Sequence, residues 1–425
     1  MLRNNIYLII IFLVTNNVIY VNSQTLSTKS KKAINYYDLA MQNMNYQDYS
    51  NAIEMLKAAV QADPKFTEAW LLMADAYEYL KEYTKMADAC QKALDVGADK
   101  YPVTYFFSAQ AFFKIGKYSE AIEKANIFLN KKQYTPDQKK ESEKIIRNST
   151  FALNALANPV PYNPINIGDS INTENDEYWP SISADENTIV FTRLIPKIKT
   201  DMLTLYKYQE DIFISKKKND KWTLAKEIGS SINTSQNEGS ECITSDGRFM
   251  YFTACNRPDG KGKCDIYVSE YTTNGWLPAE NIGSPINTEF NEKQPSLSAD
   301  GGLLFFVSNR PGSKGNYDIW VSQLDENNKW TEPVNLGDSI NTEDDEQSPF
   351  IHPDKHTLYF SSNGWTSMGG YDVFVSYMKN NSLTSWTKPK NLGYPINTNS
   401  DEIGFSVNAK GNMAFFSSNR ISEKG

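Results

Sequence analysis

The 425-residue chain holds only two histidines, His352 and His356, and four cysteines, Cys90, Cys242, Cys255 and Cys264. Imidazole and thiolate are the usual transition-metal ligands and the usual members of nucleophilic triads, so this supply leaves little material for either chemistry. The histidines bracket one turn, HPDKH, and read as solvated turn residues. Cys255 and Cys264 flank the loop NRPDGKGK. In an oxidising compartment they read as a disulfide across that loop. A zinc site is the alternative, with Cys242 the only further thiol nearby. The disulfide reading leaves Cys242 and Cys90 free, Cys90 packing as a small apolar group. Five glutamates, Glu177, Glu238, Glu292, Glu346 and Glu402, recur at a long period, and so do Asp211, Asp265, Asp318 and Asp372. As a ring the glutamates would bind cations or a basic peptide, and as structural groups they would accept backbone hydrogen bonds. Repetition favours structure, because a catalytic group is normally needed once. No G-x-S-x-G, H-E-x-x-H or Walker motif occurs, and no acidic turn has calcium-loop spacing. No catalytic residue, cofactor or metal is therefore assigned.

The elements that must position these residues fall into two repeat systems. From Lys31 to about Leu156 apolar residues recur at helical spacing. Ala40, Ala74 and Ala109 stand 34 and 35 residues apart, each four residues after an aromatic (Tyr36, Trp70, Tyr105) and nine before a tyrosine (Tyr49, Tyr83, Tyr118). Second small positions follow at Ala52 and Ala121, with Met86 in the equivalent place of the middle unit. The pattern resembles the tetratricopeptide repeat in three units, and Thr135-Pro136-Asp137 opens a further helix placed to cap the array. Carried over position by position, the resemblance implies a concave face bearing Tyr37, Met41, Met44, Tyr79, Phe106 and Phe113. These make either a groove for a peptide or partner helix or part of the packing between helices.

The second system fills the rest. A phrase built on Ile-Asn-Thr recurs at Ile171, Ile232, Ile286, Ile340 and Ile396, at spacings of 61, 54, 54 and 56 residues. Each unit reads as four short strands: a hairpin turned at an Asp-Gly-like pair, a third strand such as DIWVS, and a fourth running from a Trp to the next Gly. Four-stranded units in tandem suggest a β-propeller. Pro164–Gly168 reads as a lone outer strand, and the last unit shows only its first hairpin, so the chain reads as ending within a blade. The fold class is α+β multidomain, an all-α tetratricopeptide-like helical solenoid followed by a β-propeller. Five blades is the simplest closure, and six is the alternative.

The net charge of −8 is uneven: residues 158–425 carry 24 Lys and Arg against 35 Asp and Glu. An acidic surface of this kind argues against nucleic acid as partner. The first residues, an Arg followed by the apolar run Ile6–Val14 and then Val21-Asn22-Ser23, read as a cleaved signal peptide. That run is too short to span a bilayer, and no later segment does so. The boundaries expected are a signal peptide over 1–23, a linker over 24–30, helical repeats over 31–157 and a propeller over 158–425.

The propeller phrases resemble those of TolB and its relatives. Together with the helical repeats and leader, they are similar to a Bacteroidetes envelope family whose members carry an OmpA-like domain after the propeller. That resemblance implies a non-catalytic scaffold in the periplasm, associated with the outer membrane. Its implied partners are envelope or secretion-system proteins, type IX secretion being the specific system. Peptidoglycan would be reached only through a domain absent from these residues. The rivals are a TolB-like envelope-integrity protein and a periplasmic carbohydrate- or peptide-active enzyme, which would need paired carboxylates in one cleft.

Overall fold

The computed structural model describes residues 11–14, 17–20, 26–197 and 208–420. It forms two compact units, Met1–Asn154 and Ala155–Gly425. Most of the expected leader lies outside the described residues; within it, Ile11–Val14 pairs antiparallel with Asn17–Tyr20.

Among the described residues seven α-helices precede the sheets: α1 Lys31–Asn45, α2 Tyr49–Ala62, α3 Thr67–Tyr79, α4 Tyr83–Asp95, α5 Val103–Lys114, α6 Tyr118–Lys131 and α7 Pro136–Ala157. Their starts are written in side chains that satisfy otherwise unpaired backbone N–H groups. The Ser30 hydroxyl accepts from the Ala33 amide and the Asp48 carboxylate from the Asn51 amide. Thr135 and Gln138 form a reciprocal box at α7, each amide donating to the other's side chain at 2.9 and 3.2 Å. Helices pack as the pairs α1/α2, α3/α4 and α5/α6, and each pair packs on the next. Ala40, Ala52, Ala74, Ala109 and Ala121 are all fully buried where these helices meet, which is why larger side chains are avoided there. Met86 occupies its small position and is also buried.

In the second unit each repeat is an antiparallel sheet. Its inner strands are Glu177–Ile182, Asn237–Ile243, Glu292–Leu297, Glu346–Ile351 and Glu402–Val407. Each pairs with the next strand across a tight turn, and in four of the sheets a third strand follows, ending with the two-residue outer strands Lys226–Glu227, Glu280–Asn281, Val334–Asn335 and Lys390–Asn391. The fifth sheet has two strands, Glu402–Val407 and Ala414–Ser418. The inner strands pack in rotation, one on two through to five on one, so among the described residues four full blades and a two-stranded fifth close a propeller-like ring. Pro164–Gly168 forms no strand, contrary to the expectation from sequence. Pro164 has no amide proton to give, and among the described residues the fifth sheet has no third strand for it to pair with.

The hydrophobic core of the ring lies between blades. Val190, Ile212, Ile232, Met250, Phe252 and Tyr267 join blades one and two, while Phe305, Ile319, Leu336, Ile340, Leu358 and Phe374 join three and four. Every inner strand carries a bulge whose turning residue sits in the left-handed region: Trp179, Ser240, Gln294, Ser348 and Gly404. At Gly404 a side chain has no room, since a β-carbon would lie 2.8 Å from the Trp179 Cα of blade one.

Candidate functional site

The inner helices α1, α3 and α5 carry an unusual set of polar groups. The Tyr37 hydroxyl, Asp75 Oδ1, Glu78 Oε2 and Gln110 Oε1 are all buried from solvent and all lack a hydrogen-bond partner. Tyr37 is fully buried and Asp75 is 5% exposed. Leaving such a group unpaired costs about 1–3 kcal/mol, so the set is poised to receive donors. Burial, reinforced by the neighbouring Glu78, pushes the Asp75 carboxyl up to about 7. Burial also raises Glu78, against the opposing pull of Lys114. Glu68, by contrast, is spent within the fold: it accepts from the Ser27 amide and from the Tyr101 hydroxyl at 2.6 Å.

Of the six residues that the sequence offered either as groove or as helix packing, three are core. Tyr37 packs on Phe66, Phe106 on Phe107 and Phe128, and Phe113 on Tyr118, each at most 7% exposed. Adjacent helices approach too closely to leave these rings open, so they are not groove surface. Met41 and Met44 are half-buried at the edge of the same core. Tyr79 is exposed on one side and stacks on Tyr49 at 4.5 Å. Of the six, only Met41, Met44 and Tyr79 thus keep exposed surface, and the unpartnered atoms of Asp75, Glu78 and Gln110 are buried on α3 and α5. Asp75, Glu78 and Gln110 were not distinguished by sequence, because polar residues on an otherwise apolar helix read as its solvated side.

The five repeated glutamates occupy one environment each, and it is internal. In blade three, Glu292 Oε2 accepts from the Thr288 amide at 2.7 Å, and Oε1 accepts from Thr288 Oγ1, Ser308 Oγ and the Arg310 guanidinium at 2.9, 2.8 and 3.2 Å. Arg310 in turn donates to the Ile286 carbonyl, so the carboxylate latches the Ile-Asn-Thr turn to the second strand. Glu177 with Arg193, Glu238 with Arg257 and Glu402 with Arg420 repeat the arrangement. Blade four departs from it: Trp365 Nε1 donates to the Ile340 carbonyl where the others use arginine. Burial then pushes Glu346 up to about 7. The repeated aspartates are also internal. Asp318 accepts from the amides of Lys314 and Gly315 and from Asn335 Nδ2, and Asp265 and Asp372 do likewise. Asp211 instead accepts from Gln209 Nε2.

Cys255 and Cys264 are directly opposed on paired strands and are disulfide-bonded, while Cys90 and Cys242 carry free thiols. Among the described residues no cluster of His, Cys, Asp and Glu is disposed to hold a metal ion, and no helix is long and apolar enough to cross a membrane. His356 bonds the Asp354 carbonyl within its turn and Asn381 in the loop after the third strand.

Residues 67–96, covering α3 and α4, match the tetratricopeptide repeat family. Among solved structures the chain is similar to the first tetratricopeptide domain of Spaghetti (RPAP3) bound to the HSP90 peptide SRMEEVD, at 22% identity over 31% of this chain and 99% of that one, TM-score 0.27. It is also similar to the TPR2B domain of yeast Sti1 in complex with an Hsp70 species (17%, 29% and 98%, 0.26). The Sgt2 domain from Aspergillus fumigatus gives 16% identity, with 34% and 95% covered and a TM-score of 0.28. None of the curated proteins matches. The chain therefore contains a tetratricopeptide repeat followed by a propeller-like ring, two folds that typically serve protein interaction.

Proposed function

We propose that the protein is a non-catalytic scaffold whose helical unit grips a donor-rich, basic segment of a partner polypeptide. One observation carries this reading: four buried polar groups on α1, α3 and α5 lack partners, and two of them are carboxylates. An acidic tail would be repelled there, whereas lysine, arginine or backbone N–H groups would supply what is missing. Met41 and Met44 add an adaptable apolar border of the kind that accommodates varied partners.

The compartment and system follow from the family resemblance. In this proposal the leader directs export to the periplasm, and the protein works at the outer membrane within a type IX secretion complex. Contact with peptidoglycan belongs to an OmpA-like domain outside these residues. The Cys255–Cys264 bond supports an oxidising compartment. The repeated glutamates support a binding rather than catalytic role for the ring, since each is consumed in its own latch.

The test is photo-crosslinking in cells, with the reactive group placed at Met44 of the full chain and at the same site in an Asp75→Asn, Glu78→Gln variant. The reading expects adducts with an outer-membrane protein through a Lys- or Arg-bearing segment, lost in the double variant. Adducts indifferent to that variant, or recovery of the chain in the cytoplasm with its leader uncleaved, would overturn it.

A further inference from the structure

The inner strands of the five blades enclose a cavity of about 150 Å³, lined by equivalent residues from every blade. Four blades place Pro180, Pro295, Pro349 and Phe405 at the position after the bulge, and blade two places Glu241 there. Glu241 is the one charged residue in the lining. It is 5% exposed, and its Oε2 accepts from Thr192 Oγ1 at 3.2 Å while Oε1 has no partner. A position that is apolar in four blades and breaks that pattern once, to bury a carboxylate beside a channel, is the opposite of the repeated glutamates. Two positions further along the same strands, Ile182, Ile243, Leu297, Ile351 and Val407 form an aliphatic ring around the cavity.

We propose that this channel is a binding site for an alkylammonium group, supplied by a lysine side chain of a partner polypeptide. The aliphatic ring would take the methylene stem, and Glu241 Oε1 would accept from the ammonium. A single free acceptor suits the three-donor ammonium better than the planar fork of a guanidinium. The site is separate from the helical face and stands or falls independently of it.

Burial pushes Glu241 up to about 8, so the empty site holds a proton at neutral pH that an arriving cation displaces. The titratable neighbours facing it are Tyr178 of blade one and Cys242, both of which burial holds in their neutral forms. Binding of a cation should therefore strengthen as pH rises from 6.5 to 8.5, about 8 being the midpoint of Glu241 ionisation.

The experiment is calorimetric titration of the full chain with Nα-acetyl-lysine amide, Nα-acetyl-norleucine amide and alanine amide. The expected result is saturable binding of the lysine derivative, at least about tenfold weaker in Glu241→Gln and weaker at pH 6.5 than at 8.5. The norleucine derivative should bind no better to the native chain than to the variant. Alanine amide binding as well as the lysine derivative would assign the site to a chain amino terminus instead and overturn the lysine reading. Because Gln replaces a carboxyl that is already protonated when empty, Glu241→Gln is expected to fold. Leu297→Trp provides a second arm, obstructing the channel from another blade and abolishing binding without touching Glu241. Equal binding by the native chain and both variants, or no binding by the native chain, would refute the proposal.

Discussion

Blades three and four pose the same question with one atom group changed, and replacing each latch carboxylate by its amide should give opposite answers. In Glu346→Gln the amide oxygen can take the place of Oε2, keeping the bond from the Thr342 amide at 2.7 Å. The NH2 then takes the place of Oε1, which is approached only by Thr342 Oγ1 and Ser362 Oγ. Both hydroxyls can rotate to accept, and the cost should stay within about 1 kcal/mol. In Glu292→Gln the same placement sets the NH2 against the Arg310 guanidinium, which has no acceptor to offer. Arg310 is also left buried without its counter-charge, and breaking one member of a buried pair costs about 3–5 kcal/mol. The expected difference between the variants is thus about 3 kcal/mol, or about 6–12 °C in the melting of the ring unit. Urea denaturation at pH 7, followed by tryptophan fluorescence and far-UV circular dichroism, reads it. Equal losses, or a larger loss for Glu346→Gln, would refute the latch argument; no loss in either would return the glutamates to the functional reading.

Other outcomes follow from the same structure. Gly404→Ala should destabilise the ring by about 2 kcal/mol or more, since the new methyl meets Trp179 at a left-handed backbone; hydrogen exchange should rise first at 177–182 and 402–407. Removing the Cys255–Cys264 bond by Cys255→Ser with Cys264→Ser should cost about 2–3 kcal/mol by loop closure, read from melting with and without reductant. Asp75 and Glu346 are raised to about 7 and Glu241 to about 8, so the folded chain binds more protons than the unfolded one above their ordinary values near 4. Stability from these groups is therefore full at low pH and lost as pH rises from about 4 towards 8. Thermal melts should be higher at pH 5.5 than at 8, and Asp75→Asn with Glu346→Gln should flatten the difference.

Much of the architecture was legible because it is periodic. The alanines at 40, 74 and 109 marked where helices touch, and they are fully buried there. The Ile-Asn-Thr phrase located the junctions after the four full blades, because its asparagine ties the loop to the preceding third strand: Asn341 Oδ1 and Nδ2 bond the amide and carbonyl of Ile319, and Asn233, Asn287 and Asn397 do the same. Single features were harder. Position in the repeat told which side of a helix Tyr37, Phe106 and Phe113 occupy, but not how tightly the next helix would cover them. Asp75 and Glu78 carried no local signal, since the burial that leaves Asp75 Oδ1 and Glu78 Oε2 without a donor is set by the packing of neighbouring helices. Glu241 did carry one. Aligning the five inner strands shows a glutamate among three prolines and a phenylalanine, and only the buried channel gives that exception a physical meaning.

The central claim is that the helical unit selects a basic segment through acceptors it cannot satisfy itself. Fluorescence anisotropy with two labelled extended peptides of equal length, one alternating lysine and one alternating glutamate, tests it directly on the full chain. The account predicts that the lysine peptide binds at least about tenfold tighter, and that Asp75→Asn with Glu78→Gln removes the preference. Tighter binding of the glutamate peptide, or a preference unchanged in the double variant, would contradict it.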